Sequence, residues 1–66
     1  MKNIVKVERA RKDMTQAQLA EVISVSRQTI NAIESGKYVP STVLALKIAV
    51  VFGLTVNELF ELEEGD

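Results

Sequence analysis

Residues 14–37 read MTQAQLAEVISVSRQTINAIESGK, and this stretch holds two short helix patterns joined by a brief polar turn. In the first pattern an apolar face repeats at helical spacing through Leu19, Ala20 and Ile23. Thr15 precedes that face, and Gln18 follows three residues later. This spacing is typical of a capping box, in which two side chains satisfy free backbone donors. The pattern predicts a helix over 16–23.

The second pattern begins immediately after a turn at Ser24 and Val25. Ser26 is a preferred N-cap residue type, and Gly36 is a preferred residue just past a helix end. These signals predict a second helix over 27–35, connected to the first by a turn too short to let the two helices separate.

Similar helix-boundary residues occur in the rest of the chain. Ser41 and Gly53 bound a strongly apolar segment, and Thr55 with Glu58 repeats the capping box. The sequence therefore predicts an all-α fold, a compact five-helix bundle in which residues 1–66 form a single helix-turn-helix domain with a short acidic tail over 61–66. The expected helices span about 2–12, 16–23, 27–35, 42–52 and 56–60.

The composition excludes several classes of function. The 66 residues include no cysteine and no histidine, which removes disulfides, thiolate chemistry and the common transition-metal ligands. We find no phosphate-binding glycine loop and no nucleophile with a base beside it. No apolar run approaches the roughly 20 residues that span a bilayer. We expect a cytoplasmic protein that is not an enzyme, with no cofactor, metal, catalytic residue or membrane partner.

The charge is divided along the chain. The net charge is −1, but residues 1–57 hold all eight Lys and Arg against four acids, and the last nine residues hold five acids and no base. The body is thus mildly basic and the tail acidic. The local field, not the net charge, governs attraction to phosphate.

The predicted helix over 27–35 has one polar face without acids. At 100° per residue Ile30 and Ile33 point into the core, while the opposite face carries Arg27, Gln28, Asn31, Ala32 and Ser35. Arg can donate twice to guanine, Gln or Asn can pair with adenine, and a small apolar group can meet the thymine methyl. From this helix alone a merely solvated face is equally plausible. The preceding helix and short turn favour a DNA-reading helix, because that geometry places one helix on the backbone and the next in the groove.

The segments TQAQLA, VSRQTINAIESGKYVPS and LALKIAVVFGLTVNELF make the chain resemble the XRE family, the Cro and phage-repressor type of helix-turn-helix regulator, over residues 14–60. The resemblance implies a lambda-repressor-like DNA-binding domain. It implies base reading by Arg27, Gln28, Asn31 and Ala32. It also implies DNA-backbone contacts by Gln16, Ser26, Ser35, Lys37 and Tyr38, with Gln16 often bracing the first residues of the reading helix.

Arg9 and Glu34 match a pair that in many members forms a partly buried salt bridge. Glu34 lies one turn after Ile30, at the edge of the buried face, where a carboxylate is costly unless a cation meets it. We favour this structural role over an exposed pair worth about 0–1 kcal/mol. Neither residue is expected to read bases.

Two positions depart from the family pattern. The turn residue that is commonly glycine is Ser24 here, and a non-glycine residue costs about 1 kcal/mol if its φ is positive. Asp13 replaces a second common glycine, and Asp tolerates that conformation better.

The predicted helix over 42–52 is apolar nearly all round, with only Lys47 polar between Val43 and Phe52. Such a helix is either central to the core or covered by a second chain. We favour a homodimer over a merely central helix wrapped by Leu54, Leu59 and Phe60. Leu44, Ile48, Ala49 and Phe52 suit the monomer core, and the candidate interface residues are Val43, Leu46, Val50 and Leu62.

Together these observations predict a sequence-specific regulator, a repressor, that binds double-stranded DNA as a homodimer on a pseudo-palindromic operator. No small-molecule effector is evident. The alternative is a protein-interaction module, an antitoxin or adaptor, that uses the acidic tail and binds DNA secondarily. Residues 60–63 could lie extended or be frayed, and we expect the tail acids to sit remote from the reading helix.

Overall fold

The computed structural model describes all residues, 1–66, and contains the five predicted helices together with one short β-ribbon. The strands β1 (Lys2–Asn3) and β2 (Phe60–Glu61) pair antiparallel, with Lys2 opposite Glu61 and Asn3 opposite Phe60. The helices are α1 (Val5–Arg11), α2 (Gln16–Val22), α3 (Arg27–Glu34), α4 (Thr42–Phe52) and α5 (Val56–Leu59). None of these helices has both the length and the apolar character needed to cross a membrane.

Two predicted helix boundaries are wrong because the residues concerned lie in or next to the β-ribbon. Helix α1 begins at Val5 and not at residue 2, because the Asn3 Oδ1 accepts from the Val5 amide over 3.2 Å and Ile4 donates its amide to the Leu59 carbonyl over 3.0 Å. Helix α5 ends at Leu59, and Phe60 continues into β2. Residues 60 and 61 are therefore extended and paired, an arrangement that only the proximity of the two chain ends produces.

The predicted starts of α2, α3, α4 and α5 are confirmed. Thr15 with Gln18, and Thr55 with Glu58, form complete capping boxes in which both reciprocal hydrogen bonds are present. The Ser26 and Ser41 hydroxyls cap α3 and α4 by accepting backbone amides. Each cap satisfies a donor that the first turn of a helix leaves free.

Four helices are followed by a residue in the left-handed conformation. At the end of α2 the Val25 amide donates to the Ala20 carbonyl over 2.9 Å and the Ser24 amide to the Glu21 carbonyl over 3.3 Å, which is the Schellman arrangement. The corresponding φ values are 55° at Asp13, 60° at Ser24, 77° at Gly36 and 66° at Gly53. The condition for strain at Ser24 is therefore met.

The core is built around α4. Its inner face is fully apolar and buried, as the sequence predicted for Leu44, Ile48, Ala49 and Phe52, and Ala45 joins them. The remaining core residues come from every other helix and from β2, and they are Val5, Leu19, Ala20, Ile23, Ile30, Ile33, Leu59 and Phe60. One cluster thus fixes the position of α3 through Ile30 and Ile33.

Candidate nucleic-acid interface

Helices α2 and α3 pack against each other and present one polar face of α3 to solvent. The burial of Ile30 and Ile33 sets the rotation of α3 about its axis. On the opposite side Arg27, Gln28 and Asn31 are exposed. The local sequence dictates this, since apolar residues three apart select a single inward face.

The exposed polar side chains of α3 are free of partners within the protein. No hydrogen bond or ion pair engages the side chain of Arg27, Gln28 or Asn31. With Gln16 they line an entirely polar cleft of about 290 Å³. Their donors and acceptors are therefore available to an external ligand.

The loop after α3 folds back onto the same face. The Ala32 carbonyl accepts the amides of Lys37 and Tyr38 over 2.9 and 3.2 Å, and the Ser35 hydroxyl over 3.2 Å. This places Lys37 and Tyr38, both exposed, beside the end of α3. Tyr38 shares a second cleft, of about 340 Å³, with Gln28, Thr29 and Ala32.

Three of the predicted backbone-contact residues, Gln16, Ser26 and Ser35, already have side-chain hydrogen-bond partners within the protein. The Ser26 hydroxyl accepts the Thr29 amide over 3.1 Å and lies 2.9 Å from the Thr29 hydroxyl, while the Ser35 hydroxyl donates to the Ala32 carbonyl. Thr29 was not predicted as a site residue. Its spacing of three from the N-cap Ser26, next to Gln28, is the signal that could have identified it.

Behind this face lies a three-residue network that joins α1, α2 and α3. The Glu34 Oε2 accepts from the Arg9 Nε over 2.8 Å, and the Glu34 Oε1 accepts from the Arg9 Nη2 over 3.2 Å and from the Gln16 Nε2 over 3.0 Å. The Arg9 Nη1 also donates to the Met14 carbonyl over 2.8 Å. The side chains of Arg9 and Glu34 are only 15% and 6% exposed. Gln16 thus hydrogen-bonds to Glu34 through its Nε2, and in the free protein no hydrogen bond joins its side chain to the start of α3.

The network shifts the pKa of both Glu34 and Arg9 in the direction that favours their charged forms. Burial alone would raise the pKa of Glu34, but the hydrogen bonds from Arg9 and Gln16, with the nearby positive charges, hold it below its usual value. The hydrogen bond to Glu34 raises the pKa of Arg9. The pair is therefore ionised at neutral pH, with the carboxylate accepting hydrogen bonds on both oxygens.

A separate apolar surface covers the outer side of α4. Val43, Leu46 and Val50 are 64%, 53% and 81% exposed, and Val22 at the end of α2 is 59% exposed. All four line one groove of about 460 Å³ in which Lys47 is the one polar residue. The sequence analysis did not identify Val22 as part of this surface. Its position one turn after Gln18, away from the buried face of α2, indicates an exposed apolar side chain. Leu62 is exposed but does not line this groove.

The acidic tail is joined to the N-terminal segment of the chain, and that segment contacts α3. Asn3, which pairs with Phe60, donates its side-chain amide to the Ile33 carbonyl over 2.9 Å. The Met1 amine contacts the carboxylates of Glu63 and Asp66 at 3.0 and 3.2 Å. These contacts compensate part of the tail charge.

Comparison with known proteins places the chain among regulators. The helix-turn-helix family model matches residues 5–59. The chain is 52% identical over 64 residues to the uncharacterized HTH-type transcriptional regulator YgzD of Bacillus subtilis, covering 97% of each. It is 50% identical, over the full length of both, to an uncharacterized HTH-type transcriptional regulator of Methanocaldococcus jannaschii. Its fold is similar to that of the SOS-response transcriptional repressor LexA from Eubacterium rectale, with a TM-score of 0.80 and 26% identity over 94% of this chain and 66% of that one.

Proposed function

Because this chain belongs to the XRE-type helix-turn-helix family of transcriptional regulators, we propose that it recognises a specific double-stranded DNA sequence with α3 in the major groove. The observation that carries the proposal is the outer face of α3, where Arg27, Gln28 and Asn31 are exposed and unpaired within the protein. A buried apolar face holds these side chains on a rigid element. Rigid placement is what base reading requires, since each contact depends on hydrogen-bond geometry.

Each proposed base reader has a distinct chemistry. Arg27 donates twice to guanine O6 and N7, and Gln28 and Asn31 pair with adenine N6 and N7. Ala32 offers a methyl group to thymine. Around them the proposed contacts to the DNA backbone are Gln16, Ser26, Ser35, Lys37 and Tyr38. Ser26 would keep its helix-capping partner and contribute mainly through the free backbone amides at the start of α3. The Ser35 hydroxyl would turn from the Ala32 carbonyl to donate to a phosphate oxygen.

The proposed active form is a homodimer. The chain extends 31 Å along its longest axis, whereas successive major-groove half-sites on one face of DNA lie about 34–36 Å apart. One copy therefore cannot present reading helices to both. The groove formed by Val22, Val43, Leu46 and Val50 supports the pairing, because large apolar side chains clustered at a surface mark an interaction site.

Bound across an operator as a dimer, the protein would act in the cytoplasm as a repressor by occupying DNA that the transcription machinery needs. We also propose that the operator is pseudo-palindromic, with one half-site for each copy of the chain.

The proposal is tested by selecting bound sequences from a random duplex library and measuring fluorescence anisotropy against salt concentration. We expect a selected duplex to bind more tightly than random duplex, and log affinity to fall with log salt with a slope of about −0.9 per phosphate neutralised. The antitoxin or adaptor alternative requires instead that the acidic tail binds a protein partner and that DNA binding is secondary. Background affinity for every duplex at low salt would favour that alternative.

A further inference from the structure

We infer that Glu34 is a positioning residue for DNA reading: its hydrogen bond to Gln16 fixes which end of the Gln16 amide faces the cleft beside Arg27. The inference rests on the proposed function and deepens it. It assigns to the buried ion pair a role in specificity in addition to its role in joining helices.

A side-chain amide has a donating and an accepting end, and its orientation is decided by its partners. An ionised carboxylate can only accept. The Glu34 Oε1 lies 3.0 Å from the Gln16 Nε2, so the amide must direct its NH2 group inward. Its carbonyl oxygen must then point elsewhere.

The Glu34 carboxylate, which sets the orientation of the Gln16 amide, is itself held in place by hydrogen bonds. Arg9 grips both Glu34 oxygens and also donates to the Met14 carbonyl, just before α2. The Glu34 side chain is nearly inaccessible to solvent. The same guanidinium thus ties together the acceptor and the segment that leads to Gln16, which keeps the geometry of the pair constant.

The Gln16 Oε1 is a hydrogen-bond acceptor, and the cleft that Gln16 lines also contains the donor groups of Arg27. The Gln16 Oε1 has no partner within the protein, and Gln16 shares the polar cleft with Arg27, Gln28 and Asn31. A guanidinium only donates. The oriented amide can accept one N–H of Arg27, whose other donors remain for guanine. If the Gln16 amide were flipped, its NH2 group would face the Arg27 guanidinium, and both of these groups can only donate.

The second hydrogen of the Gln16 Nε2 stays free for a phosphate oxygen. One amide would then link three groups at once: Glu34, Arg27 and the DNA backbone. Loss of the carboxylate should therefore lower the preference for the selected sequence more than the affinity for DNA in general.

A double-mutant cycle in DNA binding tests this coupling. Glu34→Gln keeps the shape of the side chain but can also donate, so it no longer selects the amide orientation. In the Gln16 background we expect Glu34→Gln to reduce the ratio of affinities for selected over random duplex by about tenfold, as for one well-placed polar contact. With Gln16→Met already present, the same change should alter that ratio by less than about twofold. Equal losses in both backgrounds would overturn the inference.

Two further measurements separate specificity from folding and from DNA binding itself. Ile48→Val, a core change in α4 at a residue that makes none of the network's hydrogen bonds, serves as a destabilised control that should keep the wild-type ratio. All variants are assayed where circular dichroism shows them folded. In DNA-free protein, the NMR signals of the Gln16 side-chain NH2 should shift in Glu34→Gln. Unchanged signals would contradict the positioning role even if DNA binds, whereas shifted signals with no binding to any duplex would contradict the proposed function.

Discussion

Ser24 has a backbone conformation that is unfavourable for a residue with a side chain. It ends α2 with a φ of 60°, in the region that costs a residue with a Cβ about 1–2 kcal/mol. The two hydrogen bonds of the turn, from Ser24 to Glu21 and from Val25 to Ala20, hold it there. The turn geometry is therefore kept by its hydrogen bonds and by the packing of α2 on α3, at a cost in stability.

Ser24→Gly should stabilise the protein by about 0.5–1 kcal/mol, because relief of the left-handed strain exceeds the added flexibility of the unfolded chain. Urea denaturation should show a higher midpoint with an unchanged m value. Ser24→Ala is the matched control: it also removes the hydroxyl but keeps the Cβ, so it should bring no gain. An equal gain in both variants would mean that the hydroxyl, not φ, is responsible.

Glu34 predicts a pH dependence of folding. Burial opposes ionisation, but hydrogen bonds from Arg9 and Gln16 leave the folded-state pKa below the usual value of 4.5. The unfolded chain therefore takes up the proton first, and the stability that Glu34 contributes is present above pH 4.5 and is lost as pH falls through the folded-state pKa. The difference in unfolding free energy between wild type and Glu34→Gln should shrink below about pH 4.5. A difference that stays constant from about pH 7 to about pH 3 would contradict the shift.

At the scale of elements, α3 combines two functions on opposite faces. Ile30 and Ile33 anchor it in the core, and Arg27, Gln28 and Asn31 face solvent. The Ser26 cap fixes the start of the helix, and the Ala32 carbonyl holds the loop that comes after its end. Base reading by Arg27 and phosphate contact by Lys37 should therefore be separable by mutation, since Arg27 lies on the helix and Lys37 on that loop.

Arg27→Ala should relax base preference, whereas Lys37→Ala should weaken binding to all duplexes similarly and reduce the salt slope by about one. Anisotropy titrations on selected and random duplexes at several salt concentrations measure both effects. Arg11→Ala removes the same charge from the exposed end of α1, which lies outside the proposed interface, and should change neither. Equal losses on all duplexes for Arg27→Ala and Lys37→Ala would place the recognition face elsewhere.

At the scale of the whole molecule, one small core leaves an apolar surface uncovered. The inner face of α4 is buried while Val43, Leu46 and Val50 on its outer face stay exposed, with Val22 beside them. A domain of 66 residues has too little material to surround its central helix, because small domains bury a smaller share of their surface. A second copy would bury the remainder.

Val50→Glu should convert a dimer into a monomer in sedimentation equilibrium at micromolar concentration, because it places a charge in the centre of the proposed apolar contact. Affinity for a duplex with two half-sites should fall about 100-fold, the low end of what linking two binding modules contributes. Asn57→Glu adds the same charge on α5, outside the groove, and should leave both unchanged. A wild-type chain that sediments as a monomer at all concentrations would rule out this interface.

Local sequence was sufficient to predict five helices, the caps of α2 to α5 and the inward faces of α2, α3 and α4, because capping and helical periodicity act over three or four residues. It also contained the polar face of α3 and the apolar character of α4. Contacts between distant segments could be seen only in the folded chain: the β-ribbon that moves the start of α1 to Val5, the pairing of the tail with the N-terminal segment, and the three-way contact of Glu34 with Arg9 and Gln16. Residues 9, 16 and 34 lie on three helices, and no local spacing specifies that one carboxylate oxygen accepts from two of them.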